Sequence, residues 1–204
     1  MASWRAMASS LRAKQRQRVR RDIDAAALGL FAERGYAAVT GEEIARAAGI
    51  SPSTYYRYVP TKDDLLLRPL RASSAAIVAG FASQAEELGL ADALIAAVRT
   101  QTADVDAVEM RKWRAVVADV PEVIARVALI GSDDRARLIG LAGERMSLDT
   151  AVDLRPGVMV SMVLAIVEYA YQRWLTSDDE TVSLLDVIDS ALAASILAEG
   201  AQEA

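Results

Sequence analysis

The 204-residue sequence predicts an all-α fold, with a short N-terminal domain of three helices followed by a larger helical domain. Hydrophobic residues make up 53% of the chain and aromatic residues only 5%, which is typical of a helical protein rich in Ala, Leu and Val. Five prolines and eleven glycines are too few for a β-rich or disordered chain. Apolar residues recur at helical spacing, without the alternation that strands show.

The chain is predicted to divide into three segments. Residues 1–15 form a basic arm that is expected to be disordered, residues 16–67 the three-helix domain, and residues 68–204 the C-terminal helical domain. Seven Arg or Lys side chains precede Asp22, the first acidic residue. Such an arm suits contact with phosphates or with the minor groove of DNA. For residues 1–12, a solubilising tail is an equal alternative.

The first helix is predicted over residues 16–34. Its apolar side chains recur at the spacing of a helix face that packs on a core. They are Ile23, Ala27, Leu30 and Phe31. Gly35 follows and ends the helix.

Two short helices with a glycine turn are predicted next. Thr40 begins the first of them, and Glu43 completes a capping box three positions later. Gly49 ends that helix, because a left-handed backbone there carries no Cβ penalty. Ser51 is a favourable N-cap for the second helix, and Pro52 suits its first position.

The spacing of Ala45, Gly49 and Tyr55 is what a close crossing of two helices requires, so Tyr55 is predicted to be a core residue. The other residues of the second helix are hydrogen-bond donors, as expected of a helix that enters the major groove of DNA. They are Ser53, Thr54, Tyr56, Arg57 and Tyr58. An ordinary αα-hairpin has the same spacing and is the alternative.

The segment from Ile23 to Leu67 resembles the N-terminal domain of the tetracycline-repressor (TetR) family of bacterial transcription regulators. The resemblance rests on a Gly-aromatic turn, a threonine cap, Ile-Ala and Ala-Gly pairs and a lysine before the fourth helix. These residues are Phe31, Gly35, Tyr36, Thr40, Ile44, Ala45, Ala48, Gly49 and Lys62. The sequence departs from the pattern at Gly41, Ser53 and Val59, and Gly41 in place of an apolar residue predicts looser packing of the second helix.

The resemblance implies a set of DNA contacts. Thr40, Tyr56 and Lys62 would bind phosphates. Ser51, Ser53 and Thr54 lie at the start of the recognition helix, where Ser53 and Thr54 would meet base edges or a thymine methyl group. Arg57 has the chemistry to read guanine or to bind a phosphate, and Tyr58 to contact a phosphate or to pack beneath the helix.

The charge distribution agrees with a DNA-facing N-terminal domain. Residues 1–71 carry 13 Lys/Arg and 7 Asp/Glu, whereas residues 72–204 carry 10 and 21. The first segment is therefore basic although the net charge of the whole chain is −5, so the basic character is confined to the N-terminal part of the sequence.

A long fourth helix over residues 62–87 is predicted to connect the two domains, with a kink or break near Arg68 caused by Pro69. Further helices are expected over residues 91–103, 105–120, 121–146, 156–176 and 181–199, with an interruption at 131–134. Residues 158–171 and 182–197 are apolar on more than one face and are predicted to form a homodimer as a twofold four-helix bundle. The alternative is that one of the two helices is core of the monomer.

The family resemblance implies that a small-molecule effector releases a palindromic operator from the dimer. Aromatic and methionine side chains of the C-terminal domain suit an apolar or aromatic ligand. The candidates are Phe81, Met110, Trp113, Met159, Met162 and Tyr169. For each of them, a place in the plain core is the alternative.

The composition argues against catalysis and metal binding. The chain has no Cys and no His, so thiolate metal sites, zinc chemistry and His-dependent triads are not expected. No cofactor, no enzyme activity and no membrane contact is predicted, and the location is expected to be cytoplasmic. A transcriptional activator, a regulator without a ligand and a helical protein-interaction adaptor are the alternative functions.

Overall fold

The computed structural model describes residues 2–124, 128–179 and 181–195, with side chains for all of these except 2–10, 121 and 124. Over these ranges the regular structure is helical, which confirms the all-α prediction. The helices are α1 (Ala2–Arg34), α2 (Gly41–Ala47), α3 (Pro52–Tyr58), α4 (Asp63–Ala82), α5 (Leu90–Ala103), α6 (Ala107–Ala118), α7 (Pro121–Ile124), α8 (Ser132–Met146), α9 (Arg155–Leu175) and α10 (Leu184–Ala193).

The chain divides into two compact units. We call the first, Met1–Leu67 with Lys112–Ala125, the head, and the second, Arg68–Arg111 with Arg126–Ala204, the body. The sequence placed residues 112–125 in the C-terminal domain, so the structure differs there. The reason is Trp113, which is 5% exposed and donates its indole N–H to the Leu66 carbonyl at 2.9 Å.

Helix α1 begins at Ala2, which corrects the prediction of a disordered arm over residues 1–15. Residues 2–15 contain neither proline nor glycine and are rich in Ala, Arg and other strong helix formers, so nothing interrupts the helix in this stretch. The predicted core face is observed further along, where Ile23, Ala27 and Phe31 are at most 2% exposed.

Helix α4 continues through Pro69, so the break predicted near Arg68 does not occur within Asp63–Ala82. Pro69 lacks the N–H that would bond the Leu65 carbonyl, which weakens one turn of the hydrogen-bond ladder. Trp113 supplies a donor to the next carbonyl, that of Leu66. The helix is therefore unbroken although one of its own hydrogen bonds is missing, and the kink at Pro69 stays a prediction.

Among the described residues, α4 is the one helix whose length and apolar composition would allow it to cross a membrane. Core helices of soluble proteins have the same length and composition, so these two properties are weak evidence for a membrane span. Leu66, Ile77 and Phe81 are at most 2% exposed, and Asp63 and Asp64 occupy the first turn. This burial pattern favours a core helix.

The body has its core along one face of α9. Val160, Val163, Leu164 and Val167 are fully buried there, and α10, α8 and α5 pack against this helix. The chain is interrupted before α8, at residues 128–131, whereas residues 132–134 of the predicted interruption belong to the first turn of that helix. The end of the last predicted helix, residues 196–199, lies outside the described residues.

Candidate nucleic-acid interface and body cavity

The turn between α2 and α3 is closed by backbone hydrogen bonds around Gly49. This residue has a φ of +66°, the left-handed conformation that glycine adopts without strain. Its N–H bonds the Arg46 carbonyl at 3.1 Å, and the N–H of Ile50 bonds the Ala45 carbonyl at 2.9 Å. These two bonds form a Schellman motif. The predicted glycine turn is confirmed.

Thr40 is the N-cap of α2 and forms the predicted capping box with Glu43. Its N–H and hydroxyl both donate to Glu43 Oε2, at 2.8 and 2.9 Å, and Arg34 pairs with Oε1 at 2.8 Å. These three bonds lower the pKa of Glu43 to about 2, with the largest contribution from the Thr40 N–H and smaller ones from Arg34 and the Thr40 hydroxyl. The Thr40 hydroxyl is directed at Glu43, so a phosphate would have to compete for it.

Ser51 is the N-cap of α3, and its hydroxyl accepts from the Thr54 N–H at 3.2 Å. It also donates to Thr54 Oγ1 at 2.9 Å and lies 3.0 Å from Ser53 Oγ. Ser51 and Ser53 are exposed and Thr54 is half-buried. The start of α3 therefore presents a compact group of hydroxyls.

Adjacent tyrosines of α3 point in different directions. Tyr55 is 2% exposed, as predicted for a core residue, whereas Tyr56 is 53% exposed. A Cβ on Gly41 would lie 2.7 Å from Tyr55 Cε1 and 3.1 Å from the Tyr56 hydroxyl oxygen. The prediction that Gly41 loosens the packing is therefore corrected, since glycine is what this close approach requires.

The Tyr56 hydroxyl donates to Glu42 Oε1 at 2.7 Å, which joins α3 to the first turn of α2. This bond lowers the pKa of Glu42 and raises the pKa of Tyr56. Glu42 is exposed and was not among the predicted site residues. Sequence spacing did not indicate it, because the two residues are fourteen positions apart.

Lys62 is held by the loop between α1 and α2. Its ammonium donates to the carbonyls of Tyr36 and Val39, at 2.8 and 3.1 Å, and lies 4.2 Å from the centroid of the Tyr36 ring. The predicted phosphate contact would have to be made in addition to these bonds. Arg57 is exposed beside half-buried Tyr58, with 5.5 Å between the guanidinium carbon and the ring centroid.

Of the six predicted ligand-binding side chains, only Tyr169 borders the cavity of the body that is described below. Phe81 and Trp113 are core residues, 2% and 5% exposed, and Trp113 belongs to the head. Tyr169 is 64% exposed and is the one candidate that borders the cavity found in the body. The others are half-buried, namely Met110, Met159 and Met162.

A half-open cavity of about 450 Å³ lies in the body, bordered by the segment before α8, by α8 and by α9. Its lining residues are Ala128, Leu129, Ile130, Arg135, Glu168, Tyr169, Tyr171 and Gln172. Arg135 and Glu168 form an ion pair of 2.6 Å in this lining, and burial raises the pKa of Tyr171. The cavity therefore combines apolar and aromatic walls with one neutralised pair of charges.

Helix α9 also has an exposed face with little charge. Val158 is 52% and Tyr169 64% exposed, and Ser161 and Ala165 are exposed between them. These residues are three or four positions apart and therefore lie on one side of the helix. Such a face has the composition of a helix–helix contact.

The capped helices, the glycine turn and the buried Tyr55 define the head as a helix-turn-helix module, the class that binds DNA. The family model of bacterial regulatory proteins of the tetR family matches residues 23–68, and that of the MftR C-terminal domain matches residues 88–202. The chain belongs to the TetR family of bacterial transcriptional regulators.

Two relatives match the chain over most of its length. The HTH-type transcriptional regulator TcmR of Streptomyces glaucescens is 25% identical over 191 residues, which cover 89% of this chain and 84% of TcmR. MftR of Mycobacterium tuberculosis, named as a mycofactocin biosynthesis transcriptional regulator, is 28% identical over 171 residues, which cover 83% of this chain and 85% of MftR. Both relatives are named as regulators of transcription.

Solved structures share the fold. The fatty acid degradation regulator FadR of Bacillus halodurans superposes with a TM-score of 0.53 at 19% identity, covering 84% of this chain and 91% of FadR. NalD of Pseudomonas aeruginosa, the secondary repressor of the MexAB-OprM multidrug efflux pump, gives 0.53 at 20% identity, covering 89% and 95%. At such identities the likeness concerns the fold alone.

Proposed function

We propose that this regulator is a homodimeric repressor that binds a palindromic operator through α2 and α3 and is released by a small apolar or aromatic effector. The observation that carries the proposal is the surface of α3. Ser53, Tyr56 and Arg57 are exposed around the buried Tyr55, so the helix is fixed by its core side and offers polar groups outward. A recognition helix in the major groove needs this arrangement.

Contacts with the DNA backbone are expected on both sides of α3. Helix α1 carries a series of exposed cations, which are Arg12, Lys14, Arg16, Arg18, Arg20 and Arg21. Each phosphate that they neutralise makes binding more sensitive to salt. Thr40, Tyr58 and Lys62 are proposed as further backbone contacts, and Ser51, Ser53, Thr54 and Arg57 as the surface nearest the bases.

Dimerisation is proposed through the exposed face of α9 together with α10. Val158, Ala165 and Tyr169 give this face an apolar character, and Ser161 and Ala165 are small enough for close approach of a second helix. Two heads related by a twofold axis would read two half-sites at a fixed spacing.

The body cavity is the proposed effector site. Leu129, Ile130 and the two tyrosines suit an apolar or aromatic ligand, and the Arg135–Glu168 pair offers polar contacts without net charge. Tyr169 belongs both to the cavity and to the exposed face of α9. A ligand that moves Tyr169 would change the proposed dimer contact, and it would release DNA to the extent that it prefers the released form.

Family membership makes the chain a transcriptional regulator, and the absence of catalysis is a prediction. In the described ranges no three His, Cys, Asp or Glu side chains are grouped to hold a metal ion. A cytoplasmic location is proposed from the burial pattern of α4 and from the named function of the relatives. The position of the operator relative to a promoter decides between repression and activation. Expression of a reporter gene placed behind the upstream region of this gene, with and without the regulator, distinguishes the two.

Selection from a random duplex library with the full-length protein tests the DNA-binding proposal. We expect enrichment of an inverted repeat and, by analytical ultracentrifugation, an even number of chains on each duplex. An Ala165→Arg variant should be monomeric and should lose binding, whereas Ala136→Arg, at an exposed position of α8, should keep both properties. A library without enriched sequences would refute DNA recognition.

Compounds that release the selected duplex test the effector site. Gln172→Trp should block their action, because residue 172 lines the cavity at an exposed position. Arg173→Trp is the matched control, since Arg173 is exposed on the same helix and does not line the cavity. An unchanged response of the Gln172→Trp variant would place the effector elsewhere.

A further inference from the structure

We propose that Glu42 and Tyr56 form a base-reading pair that accepts a hydrogen bond from the exocyclic amine of cytosine or adenine in the major groove. The inference rests on the proposed function, because it requires α2 and α3 to face DNA. It also replaces the phosphate contact that the family resemblance implies for Tyr56.

The direction of one hydrogen bond is the first reason. A tyrosine hydroxyl has a single hydrogen, and that of Tyr56 is donated to Glu42 Oε1 at 2.7 Å. The hydroxyl then presents lone pairs to any further partner. A phosphate oxygen also has only lone pairs, so Tyr56 cannot bond a phosphate while it bonds Glu42. An amine N–H is the complementary partner.

The state of Glu42 is the second reason. This side chain is exposed, and the bond from Tyr56 lowers its pKa, so it is a carboxylate at neutral pH. A carboxylate accepts hydrogen bonds only, and its two oxygens have room for more than one donor. Cytosine N4 is the established major-groove donor to Glu, and adenine N6 offers the same N–H chemistry.

The placement of the pair is the third reason. Tyr56 is three residues from Ser53 and lies on the same exposed side of α3. A Cβ on residue 41 would come within 3.1 Å of the Tyr56 hydroxyl oxygen, so Gly41 leaves the space in which this hydroxyl meets α2. The pair therefore lies where the two helices of the module meet.

The charge of Glu42 makes the pair selective. A carboxylate near DNA is repelled by phosphates whatever the sequence, and only an amine donor opposite the pair offsets that cost. Glu42 should therefore lower affinity for most sequences and favour those with cytosine or adenine at one position of each half-site.

The test uses the duplex that the full-length protein selects from a random library, with single amines deleted. Adenine is replaced by deoxynebularine, or cytosine by 2-pyrimidinone, at one position at a time. Each analogue lacks the exocyclic amine, so the replacement that weakens binding identifies the base that is read. Affinities are measured by fluorescence anisotropy for the wild type, Glu42→Gln and Tyr56→Phe. Glu33→Gln is the charge control, because Glu33 is an exposed acid of α1.

For the wild type, deletion of one amine per half-site should weaken binding by about 5- to 150-fold. Glu42→Gln and Tyr56→Phe should each reduce that loss, because each variant weakens or removes one acceptor of the pair. Glu42→Gln should also bind scrambled duplexes more tightly than Glu33→Gln does. Two results would overturn the inference. They are a wild type that tolerates every deletion, and a Tyr56→Phe variant that loses affinity equally on all duplexes.

The failure of the inference is distinguishable from that of the proposed function. If the wild type enriches no sequence, DNA recognition itself fails, and base reading fails with it. If it enriches an inverted repeat that tolerates every amine deletion, only the pairing of Glu42 and Tyr56 with a base is refuted.

Discussion

A helix connection in the head is stabilised by local hydrogen bonds, whereas one in the body is stabilised by long-range hydrogen bonds. In the head, the turn from α2 to α3 is closed by bonds from Gly49 to Arg46 and from Ile50 to Ala45, residues at most five positions apart. In the body, residues 83–89 connect α4 to α5 and are bound by the guanidinium of Arg145, which donates to the carbonyls of Gln84, Ala85 and Leu88. The first connection depends on its own sequence and the second on a helix that follows much later.

The difference explains why the head can present a defined surface. Caps and a glycine turn fix the path of α2 and α3 locally, and the buried Tyr55 fixes their crossing. In the body, the connections and the cavity are formed by residues that are distant in sequence. Small changes of packing in the body therefore have more ways to alter its geometry, as the proposed effector response requires.

Removal of the core tyrosine should have the largest effect on the head. Tyr55→Ala should lower the free energy of unfolding by about 3–5 kcal/mol, because a fully buried aromatic ring is lost. Urea denaturation measures this. Tyr56→Ala is the matched control and should leave stability nearly unchanged, since that ring is 53% exposed. Equal losses for the two variants would contradict the assigned roles.

Loss of the long-range bonds should affect the body connection. Arg145→Met should destabilise by about 1.5–3 kcal/mol, toward the lower value because most of these bonds are exposed. Hydrogen exchange should accelerate in residues 83–89 and stay unchanged in residues 44–52. Arg173→Met, at an exposed position of α9, is the control. Unchanged exchange in the connection would show that Arg145 does not hold it.

The local turn is tested at Gly49. Gly49→Ala should destabilise by about 1–2 kcal/mol, because an L-residue at φ +66° is strained. Gly29→Ala, within α1 and with open space around a new Cβ, should instead stabilise by about 0.5–1 kcal/mol. If thermal melting shows the same sign for both variants, the turn does not depend on its left-handed residue.

Acid titration should give the smallest effect and should act on both regions. The pKa is lowered to about 2 for Glu43 in the head, by Thr40 and Arg34, and for Asp153 in the body, by Arg155. Because each folded-state pKa lies below its unfolded value, the contribution to stability is full above about pH 4.5 for Glu43 and about pH 3.8 for Asp153. It is lost as the pH falls toward about 2. Glu43→Gln and Asp153→Asn should each flatten the fall of the melting temperature in this window. An unaltered slope in both would contradict the assignment.

The sequence predicted the parts of the molecule that depend on neighbouring residues. The predicted caps and the predicted glycine turn are observed, because such features depend on residues within a few positions of one another. They are formed by Thr40, Gly49, Ser51 and Pro52. The Tyr56–Glu42 bond was not predictable in this way, since it joins two helices. Helix α1 was predicted too short, because the basic composition of its first half suggested an arm, although that stretch has no proline or glycine and is rich in strong helix formers.

In the body, the helices were predicted better than the lining of the cavity. Five of the six candidate ligand residues do not border the cavity, and Arg135, Glu168 and Gln172 were not predicted. Aromatic and methionine residues fill cores as readily as they line cavities, so residue type did not separate the two. The cavity brings residues 128–130 against α9, and no local spacing indicates that contact.

The central claim is that the exposed side of α3 reads DNA bases. Fluorescence anisotropy of the full-length protein with its selected duplex and a scrambled duplex, at about 0.15 M salt, tests it most directly. The wild type should prefer the selected duplex by about a thousandfold or more. A triple variant with alanine at Ser53, Thr54 and Arg57 should lose most of this preference while remaining folded, and the remainder is what the Glu42–Tyr56 pair supplies. A triple variant that keeps the wild-type preference would contradict the claim.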